Sequence, residues 1–288
     1  MRKMMITAIL LIGFAGLILE TGSAQAQSIF LEPSSGGGIH LEALRPSYED
    51  LDLTFYSFTF YLSSRVVVGD NLQLRVELPF VYFKEEEGYY YYDPYYGSYS
   101  RPPRSESSFG NPYLGVDFGE ADNGFQGEVG FRVPVFNGVN SAAAIGMLTD
   151  PVERLEAFGR DLLPLYFGGN YRYINKSGFG LRLRMVPVFW LYLDNSGGSS
   201  NNDIHVIYSA QAWYEAGKIG VGGGLSGRAI ATGDADGFGE RSLHQFGFFA
   251  NFALGQIITG IQARVPLDSD LKNSGMNTIF SLSIGVKL

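Results

Sequence analysis

Arginines standing two to four residues ahead of a proline recur along this chain, in L-R-V-E-L-P at Arg75, F-R-V-P at Arg132, L-R-M-V-P at Arg184 and A-R-V-P at Arg264. A guanidinium stays charged and only donates hydrogen bonds. Such residues suit an electrostatic surface for anions better than an acid–base catalyst. Arg182 and Arg228 fall in phase with them, as do the acids Glu77, Asp117 and Glu128. If these residues share one face of an extended chain, they form a cationic half-ring, partly neutralised by Glu77 and Glu128. The prolines cannot donate to a strand ladder, so they are expected to mark strand ends near one rim.

Other chemistry-bearing groups are weaker. With no cysteine in 288 residues, disulfides, thiolate metal sites and a cysteine nucleophile are excluded. Ser242 and His244 share a strand face and Asn251 lies on the opposite one, so the geometry disfavours a serine, histidine and asparagine lipase arrangement and leaves it a remote alternative. Residues 233–240 carry acids and glycines, but without the spacing of a calcium loop they read as a polar turn. No metal and no cofactor is expected. Between Lys84 and Ser108 lie Tyr89, Tyr90, Tyr91, Tyr92, Tyr95, Tyr96 and Tyr99, rings with an apolar body and a polar tip that suit an outer binding loop or an interfacial belt. Thr149 to Phe158 has a capping residue, Pro151 at the first helical position and acids in the first turn, and it predicts a short loop helix for which a place on the rim is favoured over folding inward as a constriction.

The elements that must position these residues are strands. In Leu72 to Phe83, Leu72, Leu74, Val76, Leu78, Phe80 and Tyr82 alternate with Gln73, Arg75 and Glu77, the period-two signature of a sheet with unlike faces. Phe125, Val129, Phe131, Val133 and Val135 alternate likewise with Gln126, Glu128 and Arg132. Leu181, Leu183, Met185, Phe189 and Leu191 do so with Arg182 and Arg184, and Phe280, Leu282, Ile284 and Val286 with Ser281, Ser283 and Lys287. Twelve segments are expected, at about Ile39 to Arg45, Leu51 to Val68, Leu72 to Phe83, Phe109 to Phe118, Phe125 to Phe136, Leu162 to Ile174, Phe179 to Leu193, Ile204 to Glu215, Lys218 to Thr232, Ser242 to Leu254, Ile257 to Leu267 and Met276 to Leu288. Connections alternate between tight polar turns and longer loops. Together with the apolar faces, this predicts an all-β, closed antiparallel up-and-down transmembrane β-barrel with short periplasmic turns and longer extracellular loops. Closure is required because an open edge would leave backbone groups unpaired in hydrocarbon. Inward glycines Gly220, Gly222 and Gly224 are expected to leave space in a narrow lumen.

Arg2 and Lys3, the apolar run to Leu19 and Ala24-Gln25-Ala26 predict a secretory signal peptide over 1–26, followed by a flexible lead-in over 27–38 and the barrel over 39–288. A net charge of -8 argues against nucleic acid as a partner. The expected partners are outer-membrane lipid, the barrel-assembly machinery and a small-molecule permeant.

The hairpin S-S-R-V-V-V-G-D-N-L-Q-L-R-V-E-L-P-F, then F-G-N-P-Y-L-G-V-D-F and G-F-R-V-P-V, resembles the meta-pathway phenol-degradation transporter family. Gly69-Asp70, Leu78-Pro79 and Gly110-Asn111-Pro112 occupy its marker places, with Asn111 where the family has an acid. The resemblance implies an outer-membrane barrel that passes small hydrophobic or aromatic compounds and implies no catalytic residues. The alternatives are a closed structural or adhesive barrel acting through the tyrosine loop and, more remotely, an outer-membrane lipase.

Overall fold

The computed structural model describes residues 37–48, 55–85, 89–93, 97–119, 123–136, 138, 140–193, 202–232, 241–273 and 275–288. The expected signal peptide, the lead-in up to residue 36, Tyr95, Tyr96 and the 233–240 turn lie outside them.

Fifteen strands are described: β1 (Gly38–Tyr48), β2 (Phe55–Gly69), β3 (Leu72–Glu85), β4 (Tyr89–Asp93), β5 (Gly97–Arg101), β6 (Ser105–Phe109), β7 (Tyr113–Gly119), β8 (Gly124–Arg132), β9 (Leu162–Ile174), β10 (Phe179–Tyr192), β11 (Asp203–Ala216), β12 (Ile219–Ile230), β13 (Ser242–Leu254), β14 (Ile257–Pro266) and β15 (Met276–Lys287). Twelve close an antiparallel barrel, each bonded to its sequence neighbour, with β1 against β15 at the seam. β6 is an extra strand paired with β3, and β4 with β5 forms a separate hairpin that carries Tyr89, Tyr90, Tyr91, Tyr92 and Tyr99. Two helices and a 3-10 turn complete the described elements: α1 (Ser141–Thr149), Leu155–Phe158 and α2 (Ser269–Asn273).

Strand periodicity places the faces as the sequence predicts. Leu74, Leu183, Met185, Ile261, Phe280 and Leu282 are exposed on the outside, while Gln73, Gln126, Glu128, Arg182, Gln262, Ser281 and Ser283 are buried inside. Bilayer hydrocarbon is the solvent that suits that outer face. Leu282→Arg is therefore expected to cost about 2–4 kcal/mol in urea unfolding from vesicles.

Two expectations about strand ends need correction. Pro266 ends β14 and Pro134 follows β8, but Pro79 and Pro187 lie within strands. Each sits at an interruption of its ladder. β3 pairs with β7 up to Glu77 and with β6 from Phe80, so Pro79 faces the break at Gly110-Asn111-Pro112 that divides the expected Phe109 to Phe118 strand. The β9–β10 ladder skips Val186 and Pro187 and resumes at Val188 in the same register. A residue without an N–H is tolerated where the neighbour asks for none.

Candidate functional site: the occluded barrel interior

Twelve strands enclose more space than their own inner side chains fill, and here the chain between β8 and β9 enters that space. The helix predicted to begin at Thr149 and rest on the rim is corrected in both respects. α1 ends at Thr149, and the following residues turn inward, with Val152, Ala157, Phe158, Asp150 and Glu156 almost wholly inaccessible to water. α1 starts where Asn140 Oδ1 accepts from Ala143 N (2.8 Å) and Glu106 Oε2 accepts from Ser141 N (2.8 Å), which together satisfy its first amides. Gly146 allows the Phe158 ring to lie against the helix, since a Cβ there would come within 2.7 Å of it.

The upper interior is apolar. Leu44, Tyr61, Val81, Phe83, Met276 and Ile279 of the wall pack on Ala142, Ala143, Ala157 and Phe158 of the inserted segment.

Below that layer the attachment is ionic. Arg228 makes a two-point bond to Glu156 (2.5 and 3.0 Å) and donates through Nε to Val152 O (2.8 Å). Arg184 bridges Glu128 (2.8 Å) and Glu153 (2.9 Å). Arg264 bridges Glu42 (3.1 Å) and Asp150 (3.0 Å). Arg154 reaches back to Glu42 (2.7 Å), Glu77 (3.0 Å) and Asp150 (3.3 Å), with its guanidinium 4.1 Å from the centre of the Tyr61 ring. Arg132 bonds Glu77 (2.7 Å), and Arg75 bonds Glu128 (2.8 Å) and Tyr113 (2.8 Å) with Asp117 at 3.6 Å.

All nine expected residues, Arg75, Glu77, Asp117, Glu128, Arg132, Arg182, Arg184, Arg228 and Arg264, thus face the interior. The half-ring is not merely softened by Glu77 and Glu128, however. Glu42, Asp150, Glu153 and Glu156 join Glu77, Asp117 and Glu128, so the partly neutralised half-ring is extended to an interlocked ion-pair network.

Burial works against the Glu156 carboxylate. The Arg228 guanidinium, together with hydrogen bonds from Arg228, the backbone and Trp190, nonetheless holds its pKa down to about 2 from the ordinary 4.5. Its charged form therefore stabilises the seated segment above pH 4.5, and that contribution is lost as pH falls from 4.5 towards 2. Burial raises the neighbouring Glu153 despite Arg184, so Glu153 takes up its proton first. Ion conductance through the protein in planar bilayers is expected to stay low down to about pH 5 and to rise as acid strips Glu156 of its charge.

Other expectations resolve as follows. Gly220, Gly222 and Gly224 do face inward, but the Gly222 hollow is taken up by Trp213 and Phe249 and the Gly224 hollow by Gln211. His244 directs its two ring nitrogens at Tyr208 (2.5 Å) and Asp268 (3.0 Å) on the outward side, and Asn251 is buried on the inner face, as its register requires. Sequence reasoning missed Asn111, which is inaccessible to water. Its amide donates to Glu156 O (3.2 Å) and Gly159 O (2.6 Å), and its carbonyl accepts from Phe136 N (2.9 Å). The break in β-structure at Gly110–Pro112 is the place where wall and inserted segment are tied together. The departure of Asn111 from an acid was the available signal.

The chain matches no protein-family model and no curated relative. Among solved structures it is similar to the COG4313 outer membrane channel from Pseudomonas putida F1, at 14% identity and a TM-score of 0.58 over 94% of this chain and 100% of that one. It is also similar to the NanC porin (8% identity, TM-score 0.51, 88% of this chain and 100% of that one) and to the CymD monoaromatic hydrocarbon channel (11% identity, TM-score 0.50, 95% and 96%). At these identities the likeness establishes the fold, and the chain has the closed barrel fold found in outer-membrane channels.

Proposed function

We propose that this protein passes small molecules across the bacterial outer membrane through its barrel interior and does no covalent chemistry. Residues 141–158 act as the element that must shift to open the path, and an amino-terminal leader removed on export delivers the chain there. The observation that carries this reading is how the segment is attached. A filler needed only for stability would be held best by apolar contacts, since a buried ion pair is seldom better than well-packed hydrophobic groups. Here Asp150, Glu153, Arg154 and Glu156 hold the segment through charges that can exchange partners. The shared fold with proteins described as an outer membrane channel and a monoaromatic hydrocarbon channel supports the same reading, and small aromatic compounds are the permeants it favours.

The test is swelling of vesicles reconstituted with the protein, in arabinose and in sodium benzoate, set against vesicles without it. Entry above the protein-free rate supports passage. Absence of entry, both in the native chain and in a chain lacking residues 141–158, rejects it and leaves the β4–β5 hairpin of an adhesive barrel as the functional part.

A further inference from the structure

The outer face of β15, β1, β2 and β3 is apolar up to its extracellular margin and cationic there. With the tight turns on the periplasmic side, β1 rises through Ile39, Leu41 and Ala43 to Arg45, and β3 rises through Leu72, Leu74, Val76, Leu78, Phe80 and Tyr82 to Lys84. Arg45 and Lys84 are both exposed and both fall in phase with the outward set. Tyr56 of β2 stands between them, directly opposite Lys84 and with its ring centre 5.5 Å from the Arg45 guanidinium. Phe58, the next outward residue of β2, has its ring centre 5.6 Å from the same guanidinium. One step nearer the rim, Ser47 of β1 is paired with Thr278 of β15, which adds two hydroxyls to this face.

Two observations indicate an occupant. The first is charge. The outward positions of these four strands hold two cations, Arg45 and Lys84, and no carboxylate. Among the described residues Arg45 meets no acid, and what its guanidinium touches are rings. A guanidinium stays charged, and its planar fork fits the oxygens of a phosphate two at a time. The second observation is the surface beneath the cations. Phe58, Phe60, Phe80 and Phe109 form a run of outward rings with successive centres 6.3, 6.2 and 5.0 Å apart. Phe280, paired with Arg45, and Leu282 below it continue that surface across the seam and are 54% and 63% exposed. Large rigid rings of this kind make a bed for hydrocarbon chains at little entropic cost.

We propose that this margin binds one phosphorylated lipid of the outer leaflet. Its phosphate takes the fork of Arg45, with Lys84 and the hydroxyls of Ser47, Tyr56 and Thr278 around it, and its acyl chains run down over Phe58, Phe60, Phe280 and Leu282. Arg45 and Lys84 stand two strands apart, about 10 Å, a gap that two long side chains can close over Tyr56. The lipid follows from the outer-membrane placement of the barrel and not from passage, since the site lies on the far side of the wall from the lumen. Seated there, it ties β15 to β1 and β2 from outside.

The experiment counts bound lipid by native mass spectrometry on the protein extracted from the membrane in a nonionic detergent. The probe is lipid A with both phosphates, titrated beside the same lipid A stripped of phosphate by a phosphatase. Saturable binding of one intact lipid is expected, with the stripped form about tenfold weaker or worse, the range that one charge-assisted hydrogen bond supplies. Arg45→Gln should weaken the intact lipid by a similar factor, and Arg45→Lys by less, because it keeps the charge without the fork. Lys84→Gln should cost about fivefold, the worth of one cation near an anionic surface. Equal binding of the two lipid forms to the unmodified protein overturns the site, without reliance on any variant folding, and makes Arg45 an interfacial anchor resting on its rings. Inorganic phosphate that displaces lipid A at equal concentration also overturns it, because the margin then reads the free anion and not the lipid.

Discussion

Arg228→Ala is expected to open the barrel. Arg228 is 2% exposed, and its three bonds end on Glu156 and on the Val152 carbonyl, both in the inserted segment. Removing one partner of a buried ion pair leaves the other charge stranded and costs about 3–5 kcal/mol. Most of that cost falls on the seated state, because the freed Glu156 regains water once the segment moves. The balance between seated and released forms should therefore shift by roughly two to three powers of ten. Planar-bilayer recordings should show frequent openings where the native protein is mostly silent. Arg228→Lys, which keeps the charge but cannot grip both carboxylate oxygens, should fall between them. A variant that migrates as a folded barrel on unheated gels yet stays silent would contradict this account of how the lumen is closed.

The second large effect is expected at Asn111. In Asn111→Ala the carbonyl of Gly159 and the amide of Phe136 lose the Asn111 side chain as partner, and the carbonyl of Glu156 keeps only the Gly159 amide, in a place water does not reach. Some relaxation will recover part of this, so about 3 kcal/mol is expected in urea unfolding. Asn111→Asp should be worse although it is closer in shape. It replaces a donor with a carboxylate oxygen aimed at two carbonyls, 3.2 and 2.6 Å away in the native protein. The ordering Asp below Ala below Asn is the decisive result, read both from unfolding and from the rate at which protease cuts within residues 133–161. An acid tolerated as well as alanine would mean that the wall break is not the anchor.

The faces of the barrel were legible in the sequence because period-two alternation is local. Every outward residue of Phe179 to Leu193 can be assigned by counting along one strand. The strand number followed from the turns for the same reason. The inserted segment was not legible. α1 is S-A-A-A-I-G-M-L-T, with no polar stripe to contrast with an apolar one, so nothing in it says helix on a wall rather than helix in solvent. Its partners are also remote: Arg154 meets Glu42 across 112 positions, and Arg264 meets Glu42 across 222. An arginine that looks like one spoke of a cationic ring in its own strand becomes half of an ion pair only when a distant loop supplies the acid. Pro79 and Pro187 misled for a related reason, because whether a missing N–H matters depends on the neighbouring strand, not on the proline's own.

Glu42 lies on β1, beside the junction where the first strand meets the last. It accepts from Ser281 of β15 and Arg264 of β14, and also from Arg154 of the inserted segment. One carboxylate therefore clasps both ends of the sheet and the occluding chain at once. During biogenesis that clasp cannot form until the terminal strands zip together. Closing the sheet and completing the seat of the inserted chain are thereby coupled through one residue.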